Sequence, residues 1–279
     1  MQTLRSPEHI ASISVLLLAA GRGTRLQPLT EIWPKCLMPI NGHPLLEYWL
    51  KGLISLGIGH ILVNVHSHRA KVLGFLARDE FLTSVKPVYE PRLLGTAGTL
   101  RANTDFFRDR SVLLIHADNW CHCDFRSFID FHLEKRLPHC PITMMTFDSD
   151  NPSSCGVVET DRNGVVIAFH EKVSDPPSNR ANAAVYMVEP EVLQWLESEP
   201  AVNDFSTEVL PNYLGRIATW HNAEIHRDIG TLSELRAAQS DLSTIPFIQE
   251  NDLWQRNFEA SAEFKALMEH IDPKEMSIE

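Results

Sequence analysis

Strands buried on both faces leave continuous apolar runs in a sequence, and amphipathic helices leave apolar positions at a period near 3.6 residues. Both marks alternate through the first half of this chain. Residues 13–19 are apolar almost throughout and predict a buried first strand. Residues 44–56 place Leu45, Leu46, Trp49, Leu50, Leu53, Ile54 and Leu56 at helical spacing, with Pro44 suited to a first turn. Gly57 and Gly59 break that pattern before a second strand at 60–66. Further strands are predicted at 85–90 and 111–118, with a helix at 96–103 between them and another at 125–136. This β-α-β-α-β order predicts an α/β fold with a doubly wound, mostly parallel, Rossmann-like sheet, in which ligands collect at the carboxyl ends of the strands.

After Pro141 the pattern changes to short strands, at 142–147, 157–160 and 165–170. Asp161-Arg162-Asn163-Gly164 between the last two is a hairpin turn, because Asn-Gly tolerates positive φ. Helices are predicted at 190–198 and 205–214, and a final strand at 223–229. Thr231-Leu232-Ser233-Glu234 is a capping box opening a helix that runs through Ala238. The main domain is thus expected at 1–245, with halves at about 13–140 and 141–230. Residues 246–279 form an acidic amphipathic tail in which Trp254, Phe258, Phe264, Leu267, Met268 and Ile271 fall mostly on one stripe, expected to dock on the main body or a sister subunit.

Composition narrows the partners. The 279 residues are 44% hydrophobic, enough for a full core, and carry 36 acidic against 25 basic side chains for a net charge of −11. Nucleic acid and anionic membrane surfaces require a broad basic face, so neither is expected as a partner. The acid excess is concentrated in the tail, where eight carboxylates oppose Arg256, Lys265 and Lys274. Small anions need only a local cluster of cations. No apolar run approaches the roughly 20 residues of a membrane span. Five cysteines, an odd number in a large chain read as having no leader, point to reduced thiols and a cytoplasmic setting.

That local cluster is found where the first strand ends. Gly21 and Gly23 allow a tight turn whose N–H groups can face an anion, and Arg25 and Lys35 add cationic partners for phosphate oxygens. Leu26 stands where a dinucleotide fingerprint wants a third glycine, and no Gly-Lys-Ser/Thr of a P-loop is present. Alone, the segment also reads as an ordinary glycine turn with surface cations.

The run Gly21-Arg-Gly-Thr-Arg-Leu-Gln-Pro-Leu-Thr30 followed by Pro34-Lys35 resembles the signature of the sugar-1-phosphate nucleotidylyltransferases. Glu90, Gly95-Thr96-Ala97-Gly98, Asp118, Gly156-Val157-Val158-Glu159, Glu171-Lys172, Asn182 with Tyr186, Asp204-Phe205 and Asp228-Ile229-Gly230-Thr231 follow in the order that family has them. The resemblance covers about residues 13–240. It implies a nucleotide-binding set of Leu18, Ala19, Ala20, Gly21, Gly23, Thr24, Arg25, Lys35, Glu90, Gly95 and Thr96. It places Gly156, Glu171, Lys172 and Asn182 at the sugar phosphate, in a β-rich insertion, and makes Arg25, Lys35, Asp118 and Lys172 the catalytic groups. Asp118 and Asp228, each read as ending a strand, would hold Mg²⁺, which is commonly bound through one or two carboxylates plus phosphate oxygens.

The implied partners are a nucleoside triphosphate and a sugar 1-phosphate, and a homodimer is one arrangement the sequence allows. Glu90 favours GTP, because a carboxylate can accept both the N1–H and the 2-amino group of guanine. The Asp118-Asn119-Trp120 segment and Glu90 look most like guanylyltransferases acting on mannose or manno-heptose 1-phosphate, whose nucleotide-sugar products serve cell-surface polysaccharides. A uridylyl- or thymidylyltransferase and a catalytically silent nucleotide-sugar sensor are the alternatives. A Rossmann oxidoreductase fails on Leu26.

Departures are Cys36, often proline in relatives, Ala184, often glycine, and His116-Ala117 before Asp118. A zinc cluster of Cys121, His122, Cys123, His139 and Cys140 is disfavoured by its spacing. His66, His68, His116 and His170 read as strand-end polar groups.

Overall fold

A computed structural model describes residues 8–241 and 252–271 of the chain. Among the described residues its packing divides into two units built from interleaved segments, residues 8–17, 93–116 and 122–226 in the first and residues 18–92, 117–121, 227–241 and 252–271 in the second. The packing units cut across the halves expected at 13–140 and 141–230.

In the first unit the strands run in the order Val166–Glu171, Gly156–Thr160, Arg180–Val188, Val112–His116 and Ser14–Leu18, and Ile142–Asp148 pairs with both Arg180–Val188 and Ile217–His221. The run at 13–19 predicted a strand buried on both faces and 111–118 a further strand, and Val15, Leu16, Leu17 and Val112 through Ile115 have no exposed surface. The long strand Arg180–Val188 organises this unit, yet its Arg-Ala-Asn-Ala-Ala start is poor in the β-branched residues that mark strands. It pairs antiparallel with Val112–His116, Ile142–Asp148 and Gly156–Thr160, and its register slips between Asn182 and Tyr186.

The Asp161–Gly164 turn forms as expected. Asp161 Oδ1 accepts the N–H groups of Asn163 at 2.8 Å and Val165 at 2.9 Å, and only Gly164 takes a positive φ, +75°. The helix expected at 205–214 is instead a wide π turn, Phe205–Val209, followed by a 3₁₀ turn, Leu210–Tyr213. Pro211, with no N–H, breaks the i→i−4 ladder there. The helix expected at 125–136 is α-helical over Phe125–Asp130 and widens into a π turn at Phe131–Lys135.

In the second unit Ile61–Val65 pairs parallel with Val85–Tyr89, and the latter, with Pro87 at its centre, is half exposed as an outer strand must be. The helix Leu45–Ser55 buries Leu45, Leu46, Trp49, Leu50 and Leu53, as its apolar stripe predicted. A helix at Arg69–Leu76 was not legible: its buried Val72, Phe75 and Leu76 stand at i, i+3 and i+4, but the stripe is only about one turn long and is blurred by Leu73 and Gly74 within it. Thr231 caps Leu232–Ser240 by accepting the Glu234 N–H at 3.3 Å, half of the predicted capping box.

The described part of the tail is two helices, Leu253–Glu259 and Ala262–Ile271, which pack on this same unit. Phe258 stacks on Trp33 with ring centroids 4.6 Å apart, and Trp254 meets Phe75 edge-on at 5.0 Å. Two tail acids are spent on ion pairs, Asp252 to Arg78 at 2.6 Å and Glu263 to Lys71 at 3.0 Å. Arg78 and Lys51 in turn bond the buried Glu47 at 2.9 Å each. Burial alone would raise the Glu47 carboxyl, but His43 at 3.5 Å together with the Arg78 and Lys51 cations holds it down at about 2. Glu250, Asp272, Lys274, Glu275 and Glu279 lie outside the described residues.

Candidate active site

The glycine-rich segment begins as Ser14–Leu18 ends. Gly23 adopts φ +61°, and a Cβ there would stand 2.8 Å from the Thr30 methyl and 3.1 Å from Lys35 Cβ, so no other residue fits without displacing its neighbours. Gly21 meets no atom within 4 Å of a Cβ position, so its contribution is openness. Thr24–Leu26 is a 3₁₀ turn whose Leu26 side chain is buried, which gives the residue standing in place of a third glycine a role in the core. The Thr30 hydroxyl ties the loop back by donating to Gly23 O at 2.9 Å, and Trp33 Nε1 donates across the Pro34-Lys35 turn to Leu37 O at 2.9 Å.

These ties aim Lys35. Its side chain is 5% exposed, and its ammonium lies 2.6 Å from Asp118 Oδ2 and 3.0 Å from Asp228 Oδ1. Arg25 Nη2 adds a third ion pair, 2.8 Å from Asp228 Oδ2. Burial works against the Lys35 charge, but the carboxylates of Asp118 and Asp228 outweigh it and raise its pKa above the ordinary lysine value. Burial would likewise raise Asp228, and Lys35 with Arg25 lowers it.

Asp228 ends the strand Ile225–Asp228, as expected. Asp118 does not end a strand. Val112–His116 stops two residues earlier, because its neighbour Ser14–Leu18 runs out there; Ala117 N–H donates to Leu18 O at 3.1 Å and the chain then turns. Asp118 lies in that two-residue turn, ahead of the strand Asn119–His122. The Ile229 N–H donates to Asp118 O at 3.2 Å, and Trp49 Nε1 to Asn119 O at 2.9 Å. Trp120 is buried edge-on against Tyr48 at 4.8 Å, a packing role. Cys36 is buried, and desolvation with the Asp118 charge pushes its thiol up to about 12, well out of the reactive range.

Two carboxylate oxygens converging on one cationic nitrogen make a site with the donor chemistry of a Mg²⁺ centre, in which phosphate oxygens and water supply the remaining ligands. Among the described residues no three His, Cys, Asp or Glu side chains gather around a single point.

Glu90, 3% exposed, follows the strand Val85–Tyr89 and is held through its backbone: its N–H donates to Val65 O at 2.9 Å, and the His66 ring, as its Nδ1–H tautomer, donates to Glu90 O at 2.8 Å. His68 similarly reaches Thr30 O at 2.7 Å. His66 and His68 are thus spent on backbone carbonyls. Asn64, which the sequence reading passed over, lies beside Glu90. Its signal was a polar residue inside the buried apolar strand Ile61–Val65.

The remaining expected site residues lie in the other packing unit. Thr96 opens the helix Thr96–Ala102, and its hydroxyl accepts the Phe205 N–H at 2.6 Å and donates to Asp204 Oδ2 at 3.3 Å. Asn203 O accepts the N–H groups of Ala97 and Gly98 at 2.9 and 3.2 Å, so Gly95 and Thr96 are bound into a loop junction. Gly156 is packed so closely that a Cβ would meet Phe169 at 2.5 Å and Glu171 Oε2 at 2.7 Å. Lys172 takes a left-handed φ of +51°, and its ammonium, 66% exposed, lies 3.4 Å from Glu171.

Asn182 sits at the register slip of Arg180–Val188. Its Oδ1 accepts the Ala184 N–H at 3.0 Å, and its Nδ2 donates to the Tyr186 hydroxyl at 2.6 Å. Ala184 itself is left-handed at φ +53°, which accounts for the preference for glycine there. Tyr186 is fully buried, and desolvation pushes its hydroxyl up to about 12, so it serves as a neutral hydrogen-bonding group.

With this geometry described, comparison with known proteins is direct. A family model for nucleotidyl transferases matches residues 14–244. The chain belongs to the nucleotidyl transferase family. It is 28% identical over 236 residues to a mannose-1-phosphate guanylyltransferase of Mycobacterium tuberculosis, a match covering 82% of this chain and 64% of the relative. It is 33% identical over 201 residues to a UTP–glucose-1-phosphate uridylyltransferase of Synechocystis, covering 67% and 51%. The chain therefore spans about half to two thirds of the length of these curated relatives. Its fold matches, with a TM-score of 0.74 at 20% identity, a Bacillus anthracis structure described as a glucose-1-phosphate thymidylyltransferase in complex with a sucrose, over 88% of this chain and 99% of that one. No helix among the described residues is long and apolar enough to cross a membrane.

Proposed function

We propose that the protein transfers a nucleoside monophosphate from a nucleoside triphosphate to a sugar 1-phosphate, releasing pyrophosphate, with GTP and a manno-configured sugar as the preferred pair. The observation that carries this reading is the convergence of Lys35, Arg25, Asp118 and Asp228. Phosphoryl chemistry asks little of the protein beyond positioning and charge neutralisation. Two cations and two metal-competent carboxylates, on one short loop, one chain turn and one strand end, supply both.

The sugar phosphate, whose second pKa is about 6, is mostly dianionic at neutral pH and attacks the α-phosphorus without a general base. Lys35 and Arg25 hold the phosphates of the nucleotide, and Lys172 holds the sugar phosphate. Asp118 and Asp228 would hold Mg²⁺, which supplies charge neutralisation at the phosphates. Glu90, buried and pinned at its backbone, reads the base as an acceptor, which suits guanine. Similarity to both guanylyl- and uridylyltransferases supports nucleotidyl transfer more firmly than the choice of base, so transfer from UTP is the second reading.

Pyrophosphate release measured with each nucleoside triphosphate against a panel of sugar 1-phosphates tests the proposal. GTP with mannose or manno-heptose 1-phosphate is expected to turn over fastest, and Asp118→Asn to abolish turnover while leaving the melting temperature within a few degrees. No turnover with any pair would refute it.

A further inference from the structure

Arg25 keeps 67% of its side chain open to solvent, yet one arm of its guanidinium is held. Nη2 donates to Asp228 Oδ2 at 2.8 Å, while the other oxygen of that carboxylate, Oδ1, accepts from the Lys35 ammonium at 3.0 Å. An exposed ion pair of this kind contributes little to stability. What it supplies is aim. A guanidinium carries five N–H donors in a fixed fork, so anchoring one arm orients the others toward an incoming anion such as phosphate.

Beneath that arm lies Gly230, which is buried. A Cβ there would stand 2.7 Å from Arg25 Nη2, 2.9 Å from Arg25 Cζ and 2.8 Å from Asp228 Oδ2, inside van der Waals contact with all three. The requirement is one of space, because the φ of Gly230 lies outside the left-handed region and its backbone would accept an alanine. Nor can that backbone retreat. Ile229 on one side is fully buried and donates its N–H to Asp118 O at 3.2 Å, and Thr231 on the other caps the helix Leu232–Ser240. Asp228 is itself held by Lys35, which leaves the exposed guanidinium as the group that gives way. We propose that Gly230 is a positioning residue for the nucleotide, its missing side chain being the space in which Arg25 lies across Asp228 with its fork aimed at the phosphates. This rests on the reading of Arg25 as a cation that holds the nucleoside triphosphate. One glycine then serves each cation, Gly23 clearing room for Lys35 and Gly230 for Arg25.

A double-mutant cycle on the full chain tests this, using the wild type, Gly230→Ala, Arg25→Ala and the double variant. Each is titrated with GTP and with UTP in the presence of Mg²⁺ and without sugar phosphate, assayed for kcat and KM with both substrates varied, and melted. Gly230→Ala is expected to weaken nucleotide binding about tenfold, the scale of one hydrogen bond to a charged group, with the KM for sugar 1-phosphate changed less than about twofold. Its melting temperature is expected to stay within about 2 °C of the wild type, because the displaced ion pair is exposed. Arg25→Ala is expected to weaken nucleotide binding at least as much, and adding Gly230→Ala to it to change the affinity by less than about twofold.

Wild-type nucleotide affinity in Gly230→Ala, or additive losses in the double variant, would overturn the inference. If Gly230→Ala alone does not fold, the double variant is expected to fold, because the guanidinium is the obstacle; failure of both to fold would overturn the inference as well. An Arg25→Ala chain that binds nucleotide like the wild type would remove the reading of Arg25 on which it rests. A wild type that binds neither nucleotide would refute the proposed function, whereas a wild type that binds nucleotide beside a silent Gly230→Ala refutes this inference alone. The two failures are therefore distinguishable.

Discussion

The expected nucleotide side and the expected sugar side of this protein are built in opposite ways. On the nucleotide side Lys35 and Glu90 are almost fully buried, Asp118 and Asp228 meet on one ammonium, and Asn64 satisfies three partners at once. On the sugar side the Lys172 side chain is two-thirds exposed with its ammonium 3.4 Å from the adjacent Glu171, and Asn182 sits at a slip in strand register. Groups that must meet any nucleoside triphosphate can be fixed in advance, and preorganised charge gives the largest catalytic return. The groups expected to face the sugar lie on a strand end and a bulge, where side chains are re-aimed without disturbing a core.

The contrast breaks if the two lysines turn out to be equivalent. Lys35→Ala is expected to lower kcat by on the order of 10²–10³, the scale of removing one preorganised charge. Lys172→Ala is expected to raise the KM for sugar 1-phosphate about tenfold, with a smaller change in kcat. Steady-state kinetics with both substrates varied separates the two, and equal losses in kcat would end the comparison.

The buried side should also depend more steeply on acid. Glu47 is held at about 2 in the folded chain, against about 4.3 for a free glutamate. Its contribution is therefore complete above about pH 4.3 and is lost as the pH falls toward 2; the shift corresponds to about 3 kcal/mol. Urea unfolding followed from pH 5 to 2.5 should show a smaller loss for Glu47→Gln than for the wild type, from a lower starting stability. Parallel curves would show that the Glu47 network, which reaches the tail through Arg78 and Asp252, does not set acid stability.

The smallest effect is expected on the exposed side. Ala184→Gly relieves a left-handed alanine that costs about 1 kcal/mol, partly offset by the backbone entropy of glycine. A gain of a few tenths of a kcal/mol, or a melting temperature about 1–2 °C higher, would sharpen the view that this bulge tolerates change. A lower melting temperature would contradict it.

What the sequence revealed and what it hid follow the same division. The glycine turn and the cations at 25 and 35 were legible from short-range spacing and chemistry, and the paired carboxylates at 118 and 228 mostly from the resemblance to a known family. The strand Arg180–Val188 was hidden, because its position is imposed by three neighbouring strands and not by its own alanine-rich start. Asn64 was missed for a related reason: an isolated polar residue in an apolar strand signals a buried partner, but only the fold reveals that the partners are Ala19, Ala20 and Glu90. The π and 3₁₀ turns over 205–213 escaped because a periodic pattern does not report which hydrogen-bond ladder a helical segment adopts.

The stacking of Phe258 on Trp33 reaches beyond the tail. Trp33 also lies under the Lys71 ammonium, 4.5 Å from its ring, and spans the Pro34-Lys35 turn through its own indole N–H. Residues 252–271 are thus a buttress for the loop that aims Lys35, even though none of them need ever touch a substrate. Removal of residues 252–271 is in effect an alteration of the Lys35 loop, and the emission of Trp33 would register it optically.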